Sequence, residues 1–446
     1  MSDARVQNQY REAEETTPIS LHAKDGEVIG QSALGAISQI PWAMSANPGR
    51  SVKVHGAPII PVTAEDAYVG RNGLEVARLG SAVQRLCETR IGDDQRLYAY
   101  HQGVYRPDAH LEVARHLRAL MGNAYRQRHV NEVLGWLAAD EPTLAVDPDP
   151  SWLNLANGLL NWQTAELFEH TPAIPSTIQL AVAWRPEARC LRIQRFLQEV
   201  LPPDSVDFVL EIIGYALYAG NPLHKAVLLY GAGRNGKGTL LRVITALCGA
   251  ANVSNVSLHQ LQENRFAVAE LLGKLVNSSG DLDSRAVRGS DVFKQLTGGD
   301  ALYAERKHAQ PFSFTPIALP IFSANQHPPS VDLSEGWFAR WLVVPMERSF
   351  AGVEDPGLTA KLTSPDELSG LLNLAVVGLQ RLMARGRFEP PPSSLAATKA
   401  YRGEIDTVSG FIMEQCLLDQ QAQIKRSTLF EAYDRWCSRE HQRSAS

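Results

Sequence analysis

The sequence predicts an α/β fold, and three observations carry that expectation. Short continuous apolar runs recur at Ala226 to Tyr230, at Leu275 and Val276, in the stretch ending at Asn325, and at Leu342 to Val344. A glycine-rich turn, Gly231 to Gly238, leads from the first run into a helix with Leu240, Leu241, Ile244 and Leu247 on one face. Segments with helical spacing fill much of the remaining chain, both before and after this unit.

Composition narrows the classes of function. The chain has 446 residues, enough for two or three domains, with 44% hydrophobic and 20% charged, which excludes both a wholly disordered chain and a membrane-spanning bundle. With 43 Lys+Arg against 48 Asp+Glu the formal net charge is -5, so any contact with nucleic acid must be local. Five scattered cysteines without a CxxC or Cys/His cluster point to a reducing compartment and away from a zinc module. No apolar run approaches the roughly 20 residues of a spanning helix, and the polar start is no secretory signal. The expected location is therefore cytoplasmic, with no membrane partner.

Taken in order, residues 1–90 read as a loosely structured arm or remnant, with amphipathic spacing beginning only near Leu74. Residues 91–220 read as a small domain preceding the glycine-rich unit. A hairpin is expected around His101, Gln102 and Gly103, followed by a helix carrying Leu111, Ala114, Leu117 and Leu120. A second hairpin turns at Gln163 and Thr164. Two helices then occupy 190–219, with Asp204 or Ser205 as the N-cap of the second.

The segment 221–350 holds the chemistry. Strand, glycine loop and helix form the arrangement that cradles phosphate: Gly231, Gly233 and Gly236 admit backbone angles and close approaches that a side chain blocks, so successive N–H groups can face phosphate oxygens. Lys237 would reach the terminal phosphates of a nucleoside triphosphate. Gly238 stands where the metal-binding hydroxyl of the usual pattern belongs and Thr239 follows, so either Thr239 supplies the magnesium ligand or carboxylates hold the metal. Asp281 and Asp283, after the run at Leu275 and Val276, are the acids that would hold magnesium and orient water; an exposed turn is the alternative. Two short strands are expected around Arg306, Lys307 and His308, a basic tip suited to a phosphate backbone or simply a solvated hairpin. Asn325 ends the next strand, where an amide can bond a γ-phosphate or the attacking water. Arg340 precedes the last strand, either as a surface charge or as an arginine finger in a neighbouring subunit.

The segments "GAGRNGKGT", "GKLVNSSGDLDSRA", "FKQLTGGDALYAERKHAQPFSF", "IFSANQHPP" and "SEGWFARWLVVP", in that order, resemble the superfamily 3 helicase part of phage and plasmid primase–helicases of the satellite-phage and poxvirus type. The resemblance spans about residues 95–440. It implies an AAA+-like P-loop NTPase core at 221–350, a collar domain at 91–220, and a C-terminal helical region at 351–446 that resembles the start of a winged helix and is expected to be cut short. It further implies that Gly231, Ala232, Gly233, Arg234, Asn235, Gly236, Lys237, Gly238 and Thr239 bind ATP, with Mg2+ at Thr239 and Asp281. Asp283 completes the acidic motif, Asn325 is the sensor and Arg340 the finger. Arg306, Lys307 and His308 contact single-stranded or forked DNA in the pore of a homohexamer. Residues 1 to 80 carry no paired-acid motif, so primer synthesis is not expected of this chain, and whether a separate primase or host replication proteins partner it is left open. The competing reading is a non-catalytic prophage remnant that binds DNA or a host protein; a P-loop kinase is disfavoured because nothing resembles an acceptor lid.

Overall fold

The computed structural model describes residues 68–439 with the exception of 71–72, 108, 281, 283–289, 308–309, 329, 331 and 420–421. The first part comprises α1 (Val76–Leu86), β1 (Thr89–Gly92), β2 (Leu97–His101), β3 (Val104–Arg106), α2 (Ala109–Met121), α3 (Gln127–Leu137) and β4 (Pro142–Leu144). The strands form one sheet in the order β3-β2-β1-β4. The β2–β3 hairpin closes through Gln102 (φ 49°) and Gly103 (φ 89°), the paired positive angles that suit a tight turn between twisted strands. Helices α1 to α3 bury a shared face that includes Leu79, Val83, Val113, Leu117, Val130 and Val133.

A three-stranded antiparallel sheet follows, β5 (Trp152–Leu155), β6 (Gly158–Asn161) and β7 (Glu166–Phe168). The β6–β7 turn is held by the Asn161 side chain, which accepts from the backbone N–H of Gln163 and Thr164. Helices α4 (Leu191–Val200) and α5 (Val206–Tyr215) come next. Ser205, one of the two residues expected there, stands at the N-cap of α5, without a side-chain capping bond. The Asp204 carboxylate instead accepts from the N–H and hydroxyl of Ser393, a residue far along the chain.

The centre of the molecule is a five-stranded, all-parallel sheet. Its strands are β8 (Ala226–Tyr230), β9 (Val253–Ser254), β10 (Val276–Ser279), β13 (Leu319–Ala324) and β14 (Trp341–Pro345), in the spatial order β9-β10-β13-β8-β14. Between them lie α6 (Lys237–Cys248), α7 (Ser290–Gly298) and an antiparallel pair, β11 (Leu302–Ala304) and β12 (Phe312–Phe314). The apolar run of β8 is continuous because both faces are covered. Val227 and Leu229 join the core that contains Leu240 and Ile244 of α6, whereas Ala226 and Leu228 join Phe293 of α7, Trp337 and Tyr401.

Strand β10 departs from the apolar pattern. Its Asn277 is 0% exposed, yet its amide is satisfied by the N–H and C=O of Val256 and by the Ser254 hydroxyl. After β14 the regular elements among the described residues are helices, of which α8 (Pro365–Arg385), α9 (Pro392–Ile405) and α10 (Arg426–Arg439) are the longest. Helices α5 and α8 cross closely: a Cβ on Gly214 would lie 2.2 Å from Ala375 O, and one on Gly378 2.7 Å from Leu210 O. Among the described residues no helix is long and apolar enough to cross a membrane.

Candidate functional site

The parallel register fixes the site. Tyr230, the last residue of β8, pairs with Ala324, the last of β13, so Gly231 and Asn325 leave the sheet side by side at its C-terminal edge. Ligands of open α/β sheets bind at that edge. The loop between β8 and α6 then turns through Gly233 (φ 105°), Arg234 (φ 50°) and Gly236 (φ 90°). Gly231 is required for another reason, since a Cβ there would stand 2.0 Å from Asn235 Nδ2 and 2.2 Å from Met346 O. No side chain caps α6, so the partial positive charge of its N-terminus faces the loop.

Lys237 is the first residue of α6 and only 6% exposed. Its ammonium donates to Gly231 O at 2.5 Å, Asn235 Oδ1 at 2.9 Å and Asn325 Oδ1 at 3.0 Å. These three oxygens are neutral, and an ammonium beside a helix N-terminus suits an anion. The Asn235 amide also donates to Met346 O just beyond β14, so one side chain ties the lysine to a third strand. That bridge depends on a residue far away in sequence, and only the loop position of Asn235 was legible beforehand. Ala232 and Gly238 are exposed, and a Cβ on Gly238 would meet nothing closer than Arg242 Nη1 at 3.4 Å. Thr239 lies half-buried on the first turn of α6, its hydroxyl accepting from Arg242 at 3.2 Å.

A cleft of ≈ 380 Å³ opens at the β11–β12 hairpin, and a larger one of ≈ 470 Å³ begins at Gly236 and Thr239. The larger cleft has an apolar wall from Phe196 and Val200 of α4 with Phe350 and Leu358, and a charged lining of both signs in which Arg234 pairs with Glu354 at 3.2 Å. Its size and mixed lining are those of a small-molecule pocket. The motif residues alone gave no sign of it.

Of the other predicted residues, Arg306, Lys307 and Arg340 lie away from the loop. Asp281 and Asp283 are outside the described residues, as is His308; Leu282, between the two acids in sequence, donates its N–H to Ser323 O on β13 at 2.8 Å. Arg306 and Lys307 follow β11 and line the hairpin cleft, with the Arg306 guanidinium 4.7 Å from the Phe312 ring. Arg340 stands at the opposite edge of the sheet from Gly231: Trp341, the next residue, pairs with Ala226 at the start of β8. At the usual rise per residue, six strand positions separate it from the start of the glycine loop, roughly 20 Å. Its guanidinium donates to Thr297 Oγ1 at 3.0 Å and to Gly336 O. Lys225 lies beside it, and burial together with the Arg340 charge lowers the Lys225 pKa.

A further group adjoins the site. The His327 ring, two residues past Asn325, stacks between Tyr230 at 3.8 Å and Tyr401 of α9 at 4.8 Å, and its Nδ1 lies 2.6 Å from a Glu404 carboxylate oxygen. The end of β8, the loop after β13 and the C-terminal helices thus meet in one stack.

Comparisons with known proteins match the two halves of this architecture separately. A family model described as D5 N terminal like matches residues 81–202. Another, described as a family of unknown function, DUF5906, matches residues 229–340, from the end of β8 to Arg340. A protein of Acanthamoeba polyphaga mimivirus that carries a provisional helicase name is 23% identical over 166 residues, 35% of this chain and 17% of that protein. The chain therefore matches about a sixth of the length of that relative. Among solved structures, the A-form apo structure of the NrS-1 C-terminal region aligns with a TM-score of 0.46 at 12% identity, covering 77% of this chain and 83% of that one. A second apo structure of the same region, residues 305–718, gives 0.45 at 12% identity with the same coverage. These scores are too low for the likeness to bear on the chemistry of this chain.

Proposed function

We propose that the chain is the ATP-dependent DNA helicase motor, of superfamily 3 type, of a phage, prophage or plasmid replication system, acting as a hexameric ring on single-stranded DNA. The observation that carries this reading is the seating of the Lys237 ammonium between Gly231, Asn235 and Asn325, where β8 and β13 end together. The D5 N terminal-like match over 81–202 and the helicase name of the mimivirus relative support it.

In this reading the glycine loop and the N-terminus of α6 hold the phosphates of ATP, and Lys237 exchanges its neutral oxygens for phosphate oxygens as charge develops on them. The apolar cleft beside Thr239 takes the base and ribose, because it opens from the loop at Gly236. Asn325 orients the attacking water without adding negative charge. The half-buried Thr239 hydroxyl and the acids Asp281 and Asp283 suit an oxygen-seeking cation; Mg2+, when bound there, would neutralise phosphate charge. Arg340 is too far from its own loop to serve it, which supports a role as the finger of an adjoining subunit. Arg306, Lys307 and His308 bear on the DNA backbone, and unwinding follows from coupling Asn325 to that hairpin. The protein acts in the cytoplasm of a bacterial host, beside a separate primase or host replication proteins.

Unwinding of a fluorescent forked substrate tests the reading. ATP-dependent strand separation that Lys237→Ala abolishes is expected. Subunits carrying Arg340→Ala mixed with subunits carrying Lys237→Ala should regain part of the lost activity, because each supplies what the other lacks. DNA binding without ATP hydrolysis would favour a non-catalytic binding protein instead.

A further inference from the structure

Outside the site, positive charge is concentrated where α2 turns into α3. Residues 115–129 contain four arginines, two histidines and no carboxylate, in a chain whose formal net charge is -5. Arg115 is neutralised by Glu112, with both carboxylate oxygens at 2.7 Å. Arg118, Arg126 and Arg128 are exposed and, among the described residues, have no carboxylate partner. The Arg126 guanidinium rests on the carbonyls of Asn123 and Tyr125 at 2.8 and 2.7 Å, Arg128 Nε meets His129 Nε2 at 3.3 Å, and exposed Glu132 lies four residues past Arg128 on the same helix.

The buried faces of the two helices set this orientation. Val113, Leu117 and Met121 of α2 and Val130, Val133 and Leu137 of α3 point into the shared core, so the arginines are left on the outer side of the corner. The corner spans only Gly122 to Arg126, which keeps the three guanidiniums within about a helical turn of the junction. His129 registers the field they create. It is 5% exposed, and its pKa is lowered first by burial and then by Arg128, with Glu132 opposing and Arg126 adding the smallest effect.

We propose that this α2–α3 corner is a second nucleic-acid contact, in which Arg118, Arg126 and Arg128 grip the phosphodiester backbone outside the hairpin that carries Lys307. The inference rests on the DNA-handling reading above. Unpaired guanidiniums in solvent match phosphate oxygens in charge and fork geometry. The exposed residues next to them on α3 include the amides Gln127 and Asn131, side chains of the kind that bond base edges, with Glu132 the one exposed acid beside them. The arginine stretch exposes no aromatic anchor of the sort that dominates protein–protein contacts, which favours nucleic acid over an acidic protein.

The test is fluorescence anisotropy of the full chain with a labelled single strand and a labelled duplex across a salt series. Arg118→Gln/Arg126→Gln/Arg128→Gln should flatten the slope of log affinity against log salt by about 3 on the duplex and about 2 on the single strand, whichever the corner holds. The corresponding triple lysine variant should keep the wild-type slope, since it keeps the charge. Should the triple variant melt early, the single variants Arg118→Gln and Arg128→Gln replace it, each expected to lower the slope by about 1. Unchanged slopes on both DNAs overturn the proposal, as does loss of binding to anionic lipid vesicles with DNA binding intact. If Lys307→Ala weakens DNA binding while the glutamine variant matches wild type, this inference alone fails. If wild-type protein binds neither DNA, the DNA-handling reading fails with it.

Discussion

Lys237 Nζ and Asn325 Oδ1 lie 3.0 Å apart, a bond that joins the residue after the glycine loop to the residue after β13. Any ligand that draws the ammonium away from this amide is sensed at the end of a neighbouring strand. Asn325→Ala should lower ATP turnover by about 100-fold, the scale of losing one polar group aimed at the reacting centre, with little change in ATP affinity. Asn325→Asp should weaken affinity as well, because a carboxylate would both neutralise Lys237 and repel phosphate. Steady-state rates and calorimetric titration separate the two effects, and wild-type turnover in Asn325→Ala would contradict the assigned role.

The loop glycines should respond unequally. At Gly231 a methyl group meets Asn235 Nδ2 and the backbone oxygen of Met346, so Gly231→Ala should lower the melting temperature and weaken nucleotide binding at least tenfold. Gly238→Ser has room in a helical backbone and should melt within a degree or two of wild type. The paired melting curves check this contrast; equal destabilisation would mean that the loop is packed differently.

These contrasts mark how far the sequence could be read. Strands β8, β13 and β14 are legible because both faces of each are buried, leaving unbroken apolar runs. The end of β10 is not, because Asn277, Ser278 and Ser279 are buried polar residues and periodicity cannot register a satisfied amide. The β2–β3 hairpin is legible from Gln102 and Gly103, which supply the turn locally. The cleft beside Thr239 is illegible because Phe196 and Phe350 come from distant segments that meet only in the fold. At the start of α5 the N-cap position of Ser205 is legible, whereas the partner of Asp204 is not, because Ser393 comes from a distant segment.

Asp147 makes stability depend on pH. Burial, reinforced by the Asp93 charge, raises its pKa to about 6, and its Oδ1 is buried without a hydrogen-bond partner. The unfolded chain ionises this acid near pH 4, whereas the folded chain resists ionisation until about 6. The native state therefore bears no penalty below pH 4, a growing one between 4 and 6, and the full penalty above. Asp147→Asn should raise the melting temperature at pH 7 and leave it nearly unchanged at pH 4. A rise of equal size at both values would mean that packing, rather than charge, limits this position.

Steady-state ATP hydrolysis with and without single-stranded DNA tests the motor reading most directly. Wild-type protein is expected to hydrolyse ATP, with single-stranded DNA stimulating that rate several-fold, Lys237→Ala removing both rates, and Lys307→Ala keeping the basal rate while losing the stimulation. Hydrolysis that survives Lys237→Ala, or a basal rate that falls equally in Lys307→Ala, would contradict it.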